Sequence, residues 1–166
     1  ALKALARAAR SRATQMPPEE LETVATAYAR LGLVGWGAQL TKAVAAAAAR
    51  VVGGCAVGGG VQHLSPRHLT NLLWAVAKLA SGCKIGRGRV ATDPDVVGLA
   101  EAAGRQIAMR LEAGRGAPGG AAALSAAFNP RDLSNAAWAL LTLGLVDRRC
   151  LEAIGHAAAP IIGAFN

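Results

Sequence analysis

One segment of this sequence occurs three times, at residues 18–32, 66–80 and 130–144. A proline opens every copy, and two leucines and an alanine keep the same register behind it. The last two copies also share an arginine, an asparagine and a tryptophan. A repeat constrains the fold more strongly than any other sequence pattern. Each copy must form the same structural unit, and neighbouring units must bury their apolar faces against one another.

Each copy carries the signals that begin and end a helix. Ser65 and Asn129 directly precede a proline, which places a capping side chain before a residue that fits the first helical turn. The copies end near Gly32, Gly82 and Gly144, and glycine commonly terminates a helix. We therefore predict that each copy forms a helix of about four turns, the A helix of its repeat.

A second helix, the B helix, is predicted after each A helix. Its apolar residues recur at helical spacing, and Asp93 and Asp147 stand as caps before the second and third B helices. The B helices are predicted at about 38–52, at about 94–112 and from 148 up to Pro160, which ends or kinks the last one. Loops rich in glycine and alanine are predicted between the helices, at 53–60, 81–92 and 113–127.

These paired helices predict an all-α fold, an α-solenoid of about three and a half helix-turn-helix hairpins with glycine- and alanine-rich loop insertions. The copies start 48 and then 64 residues apart, and the loops account for the excess over a bare hairpin. We expect one domain over residues 1–166, with repeats at roughly 16–52, 64–112 and 128–162. Residues 1–15, basic and without an acid, suit the second helix of a preceding repeat, and an organellar transit peptide is the alternative.

The charge balance indicates a polyanionic partner. Lysine and arginine number 18 against 10 aspartates and glutamates, which gives a net charge of +8, and the isoelectric point is about 10.5. Nucleic acid fits this balance better than an anionic membrane, and a merely solvated basic surface is the alternative. Hydrophobic residues make up 53% of the chain, but many are alanines with little area to bury, so the fold needs many packed helices or a partner.

Several function classes find no support in the sequence. Cys55, Cys83 and Cys150 are widely separated and make neither a disulfide framework nor a zinc pattern. The histidines have no ligand at metal spacing, and no serine or cysteine stands in a nucleophile motif. The string at 114–119 matches a dinucleotide fingerprint but follows a helix rather than a strand. No apolar run approaches about eighteen residues. We therefore predict a non-enzymatic protein without cofactor, metal site or membrane insertion.

The second and third copies resemble the octotricopeptide repeat, a helical repeat abundant in green algae and related to the repeats of FAST-kinase-like proteins. The resemblance is carried by residues 69–79 and 133–144, which share the core Asn-x-x-Trp-Ala. It covers residues 16–162, well in the A helices and loosely in the B helices. The first copy departs from the pattern, with Thr23 and Thr26 where the asparagine and tryptophan stand in the others.

The resemblance implies a protein that binds organellar RNA. Members of the family assist the maturation, stabilisation, splicing or translation of mitochondrial and chloroplast transcripts, and some are built into algal mitochondrial ribosomes that contain fragmented ribosomal RNA. By this resemblance we expect an organellar location, the mitochondrion ahead of the chloroplast. The expected partners are ribosomal RNA or a transcript, together with proteins of a large ribonucleoprotein complex.

The tryptophans of the repeat lie on the polar side of the A helix. On a helical wheel the apolar residues of 69–80 form one stripe, which we expect to face the B helix. The opposite side carries polar residues and tryptophans. In the order of the three copies these are Glu19, Thr23, Thr26 and Arg30; Arg67, Asn71, Trp74 and Lys78; and Arg131, Asn135, Trp138 and Thr142.

Two interpretations of this side stay open. As an RNA-binding surface, its cations contact phosphates, its asparagines hydrogen-bond base edges and its tryptophans offer stacking planes. As a seam between repeats, its tryptophans pack between adjacent A helices and its asparagines cap a backbone group of a neighbouring helix. The candidate RNA-binding residues on this side are Arg30, Arg67, Asn71, Trp74, Lys78, Arg131, Asn135 and Trp138.

A second basic candidate is the loop that contains Lys84, Arg87 and Arg89, whose glycines allow close approach to a nucleic-acid backbone. A solvated loop is the alternative. B-helix cations either extend the surface or face water; these are Arg105, Arg110, Arg148 and Arg149. The alternative function is a protein–protein interaction scaffold, a subunit of a large organellar assembly without RNA contact.

Overall fold

The computed structural model describes residues 2–32, 37–54, 64–82, 93–116, 128–145 and 147–164. Within these ranges the chain forms seven α-helices and a closing 3-10 segment, and no β-strand. In chain order the elements are α1 (Leu2–Arg12), α2 (Pro18–Arg30), α3 (Gly37–Gly54), α4 (Pro66–Gly82), α5 (Pro94–Gly116), α6 (Pro130–Thr142), α7 (Arg148–Ala158) and the 3-10 segment (Ala159–Ala164).

The helices form two layers that alternate along the chain. The three repeat copies, α2, α4 and α6, pack side by side in what we call the A layer. Helices α1, α3, α5 and α7 pack in the same order in the B layer. Each hairpin of one A and one B helix stacks on the next, which confirms the predicted all-α solenoid.

The predicted caps form as the sequence indicates. The Ser65 hydroxyl accepts the His68 backbone N–H at 3.2 Å at the start of α4. Asn129 and Asp132 form a reciprocal capping box at the start of α6. Gly32 and Gly144 end their repeats with φ of 62° and 73°, in the left-handed region that glycine enters without strain. Side-chain caps therefore begin α4 and α6, and glycines in the left-handed region follow α2 and α6.

Two B helices are longer than the sequence predicts. Helix α5 continues to Gly116 rather than ending near residue 112, so the expected loop at 113–127 begins too early. Helix α3 likewise includes Gly53 and Gly54. An isolated glycine costs a helix interior only about 1 kcal/mol, which flanking turns offset. The rest of the three predicted loops, residues 55–60, 83–92 and 117–127, lies outside the described residues.

Burial on α4 extends beyond the single predicted stripe. The stripe from Leu69 to Leu79 is buried as expected, but Thr70 and Ala75, which lie to either side of it, are also fully buried. Helix α4 contacts α2 and α6 in its own layer as well as α3 and α5 in the other. The predicted stripe is therefore only part of the buried surface of α4, because a central solenoid helix also buries both flanks.

Helix α1 lies in the B layer against α3, where the second helix of a preceding hairpin would lie. Side chains tie the two helices together: the Arg50 guanidinium donates to the Thr14 carbonyl at 2.9 Å, and the Arg10 guanidinium donates to the Gln39 side chain. Among the described residues, no helix is both long enough and apolar enough to cross a membrane.

Candidate nucleic-acid interface

Equivalent residues of the second and third copies meet at the junction of α4 and α6. The side-chain amide of Asn135 donates to Asn71 Oδ1 at 3.2 Å. The rings of Trp74 and Trp138 lie 6.5 Å apart between centroids, tilted by 44°. This tilted arrangement is a favourable one for aromatic pairs. The motif Asn-x-x-Trp therefore builds two contacts across the junction, each between the same repeat positions.

A buried acid adds a third contact at this junction. Asp132 is only 4% exposed and accepts the Asn129 backbone N–H at 3.1 Å. Its Oδ1 atom lies 3.4 Å from the Thr70 hydroxyl of α4. Nothing in the local sequence pattern signals the contact between Asp132 and Thr70, because the two residues are 62 positions apart. The single acid of α6 is thus withdrawn from the surface.

The tryptophans show features of a seam between repeats and also of an exposed, RNA-binding surface. Trp74 is half-buried, as a seam residue should be, and lies on α4, which packs between α2 and α6. Trp138 contacts Trp74 but keeps 40% of its surface exposed. Asn71 and Asn135 are half-buried and bond each other's side chains, not a backbone group of the neighbouring helix as the seam interpretation expected.

The first copy makes no such contacts. The Thr23 hydroxyl donates to the Glu19 carbonyl at 2.9 Å, and the Thr26 hydroxyl donates to the Glu22 carboxylate at 3.0 Å. Both bonds stay inside α2. The asparagine and tryptophan contacts therefore link α4 with α6. The first copy lacks both residues, so α2 has no equivalent contacts with α4.

Exposed cations flank the paired residues of α4 and α6. Arg67, Lys78 and Arg131 are exposed and have neither an ion pair nor a side-chain hydrogen bond with any described residue. Helix α4 contains no acid, and the one acid of α6 is buried. We call this surface the A face: it comprises Arg67, Asn71, Trp74 and Lys78 of α4 with Arg131, Asn135, Trp138 and Thr142 of α6.

The remaining candidates lie apart from the A face or outside the described residues. Arg30 is exposed in α2 at the register of Lys78, but α2 also carries Glu19, Glu20 and Glu22, so its surface is not positive. The basic loop candidates fall in a stretch whose structure is not described; they are Lys84, Arg87 and Arg89.

Several cations of α3, α5 and α7 in the B layer are paired with acids. The Arg149 guanidinium bonds both Glu112 oxygens, at 2.8 and 2.6 Å, and Arg148 contacts Glu152 at 2.8 Å. The hydrogen bond from Arg149 lowers the pKa of Glu112 from its ordinary value. Further cations have partners elsewhere in the layer: Lys42 with Asp93 at 2.6 Å, Arg105 with Glu101 at 3.8 Å, and Arg110 with the Leu64 carbonyl at 2.7 Å.

The B layer also contains a cavity lined by described residues. It measures about 320 Å³, and its lining includes Arg105, Met109, Asp147 and Arg149. Asp147, the one carboxylate in this lining, caps α7 by accepting the Arg149 backbone N–H. These side chains serve ion pairing and helix capping, and they do not form a nucleophile and base.

The structure's described ranges contain no candidate metal site. They hold no group of three or more histidine, cysteine, aspartate and glutamate side chains that could bind a metal. Cys150 is buried, and burial, aided by the charge of Asp147, raises the pKa of its thiol to about 12. Such a thiol stays protonated and inert at neutral pH.

Comparison with known proteins adds no family assignment. No family model, no curated protein and no solved structure matches this chain. The resemblance to the octotricopeptide repeat therefore stays a prediction carried by residues 69–79 and 133–144. The functional argument depends on the geometry of the A face.

Proposed function

We propose that this chain is a non-catalytic RNA-binding α-solenoid whose A face contacts the phosphates of an organellar RNA. One observation carries the proposal: Arg67, Lys78 and Arg131 are exposed and unpaired on two helices that expose no acid. On α5 and α7 of the B layer, Arg105, Arg148 and Arg149 are instead neutralised by acids. An acid-free cationic surface attracts phosphates and releases their counterions.

The residues between the cations favour RNA over other polyanions. Asparagine amides and tryptophan rings lie among the three charges, and single-stranded RNA is recognised through base edges and base faces as well as phosphates. An anionic membrane surface offers headgroup charge but no aromatic planes or base edges. The A face therefore suits nucleotides better than a charged lipid surface.

The cellular role that we propose follows the resemblance described above. The chain acts either as a structural component of an algal mitochondrial ribosome that holds a ribosomal RNA fragment, or as a factor for RNA maturation, stability or translation. Both roles need binding without catalysis, and an organellar location, mitochondrial ahead of chloroplast, belongs to the same proposal. The net charge of +8 supports either role.

The experiment is a salt titration of binding to a single-stranded oligouridylate. Three phosphate contacts predict that the logarithm of affinity falls against the logarithm of salt with a slope of about −2 or steeper. Polyglutamate of matched charge serves as the control and should bind more weakly at every salt concentration. No binding at low salt, or a slope near zero, would contradict the proposal.

A protein scaffold remains the second candidate because the described chain exposes large apolar side chains. Leu141 on α6 is 57% exposed and Ile162 in the 3-10 segment is 73% exposed, and these two elements pack against each other. Exposed apolar groups of this kind anchor protein interfaces. Loss of incorporation into a native complex for Leu141→Glu with Ile162→Glu, at unchanged RNA affinity, would support this candidate.

A further inference from the structure

The two tryptophans of the A face have different surroundings. Trp74 belongs to the central helix of the layer, so α2 lies on one side of it and α6 on the other. Trp138 belongs to α6, whose packing partner within the A layer is α4. Trp138 therefore has Trp74 against it on one side and remains 40% exposed.

We propose that the exposed side of Trp138 stacks an unpaired nucleobase of single-stranded RNA. This inference rests on the proposed function and adds the ligand class and the contact. In this arrangement Trp138 lies between the base and Trp74. Trp74 packs against Trp138 and does not itself contact RNA. Stacking on an aromatic side chain accepts any base, since every base has a π-face.

The charge beside Trp138 fits the phosphate of the same strand. Arg131 lies seven residues earlier on α6, which places it within about 20° of Trp138 around the helix. It is exposed and has no ion pair among the described residues. A flat apolar ring next to an unpaired guanidinium matches a nucleotide, which combines a flat base with an anionic phosphate.

The asparagine pair can contribute to the same site. Asn135 uses one amide hydrogen on Asn71 Oδ1, which leaves its own carbonyl and the Asn71 amide without a side-chain partner in the described chain. Asn135 lies one turn before Trp138 on the same helix. A base stacked on Trp138 therefore has donors and acceptors near its edge.

Base stacking and phosphate contact predict different behaviour toward duplex RNA. In a duplex both faces of an internal base are already stacked, so Trp138 gains nothing from it. The cations of the A face contact the phosphates of either form. We therefore expect a preference for single strands that disappears when Trp138 is removed and persists when a nearby apolar residue is removed.

The test compares oligouridylate with the oligoadenylate–oligouridylate duplex of the same length. Trp138→Ala should weaken binding of oligouridylate about tenfold and leave duplex binding within about twofold. Trp138→Phe should retain part of the single-strand affinity. Leu141→Ala is the matched control, since Leu141 is an exposed apolar residue one turn away, and it should change neither affinity. Melting temperatures of all variants show whether each one folds.

The outcomes separate this inference from the proposed function. If the unaltered protein binds neither RNA, the proposed function fails and the stacking site fails with it. If it binds both RNAs and Trp138→Ala changes neither affinity, the stacking site is wrong while phosphate binding stands. If Trp138→Ala weakens both affinities equally and lowers the melting temperature, Trp138 is a packing residue and the inference is overturned.

Discussion

Helices α4 and α6 of the A layer differ from α5 and α7 of the B layer in whether their arginines have acidic partners. In the B layer, Arg105, Arg148 and Arg149 each lie beside a glutamate, within or between helices. In the A layer, Arg67 and Arg131 extend from helices that offer no acid on their surface. The difference arises from where the acids are placed, since both layers present cations to solvent.

This difference teaches that net charge alone does not locate a binding surface. The whole chain carries +8, yet Arg105, Arg148 and Arg149 are neutralised locally, whereas Arg67, Lys78 and Arg131 of the A face have no acidic partner among the described residues. Exposed ion pairs contribute little stability, about 0–1 kcal/mol each. We expect these pairs to weaken the attraction of polyanions to α5 and α7, whereas the charges of the A face stay available to them.

The largest expected effect comes from neutralising the A face. The triple variant Arg67→Gln, Lys78→Gln and Arg131→Gln should lose affinity for oligouridylate about one hundredfold near 0.1 M salt, because three phosphate contacts disappear. The slope of affinity against salt should become shallower by about 2 in the same titration.

The matched B-layer triple variant is Arg105→Gln, Arg148→Gln and Arg149→Gln, which removes the same charge. Its affinity should change by less than about threefold, because each of these cations already has an acidic partner. Equal losses in the two triple variants would mean that only total charge matters, and the contrast between the layers would fail.

The next effect is a loss of stability on substitution of Asp132, the buried acid of α6. Asp132→Ala removes a capping box and the contact with Thr70, so the free energy of unfolding should fall by about 1–2 kcal/mol. RNA affinity should stay within about twofold because Asp132 is buried. Denaturant unfolding measures the stability. Asp147→Ala, which removes the cap of α7 but no junction contact, should cost less.

A smaller effect is expected from releasing the B-layer cations. The triple variant Glu101→Gln, Glu112→Gln and Glu152→Gln leaves its arginine partners charged and unpaired. Affinity for oligouridylate at low salt should rise about three- to tenfold. An unchanged affinity would show that something other than ion pairing keeps RNA from the B layer.

The smallest effect is the titration of Glu112. Its pKa is held below the ordinary value by Arg149, so the folded state gains stability from this group above the unfolded pKa and loses it as pH falls through the folded pKa. Carboxyl NMR should report a lowered pKa that returns toward the ordinary value in Arg149→Gln. A pKa that does not respond to that substitution would contradict the ion pair.

Much of the fold was predictable because helix caps and glycine ends are local signals. Ser65, Asn129 and Gly144 act as their types suggest, and the repeat itself indicates how the hairpins stack. The end of α5 was not predictable, since an alanine- and glycine-rich stretch carries no strong stop signal before Gly116. The burial of Thr70 depends on a neighbouring helix, which a single helical wheel does not contain.

The candidate site was predictable in composition but not in its contacts. The wheel places Arg67, Trp74 and Lys78 on one side, yet it does not show which tryptophan keeps an open face. That follows from the order of the helices in the layer, because α4 has neighbours on both sides. The pairing of Arg149 with Glu112, 37 residues apart, depends on the packing of α5 on α7 and leaves no local trace.

The most direct test of the central claim is to map where RNA touches the folded protein. A thiouridine-labelled oligouridylate is photocrosslinked to the protein, and mass spectrometry of the crosslinked peptides identifies the residues that contact RNA. The account predicts crosslinks in α4 and α6, concentrated between Arg67 and Lys78 and between Arg131 and Thr142. Crosslinks confined to α5 and α7, where the arginines are already paired with acids, would contradict it.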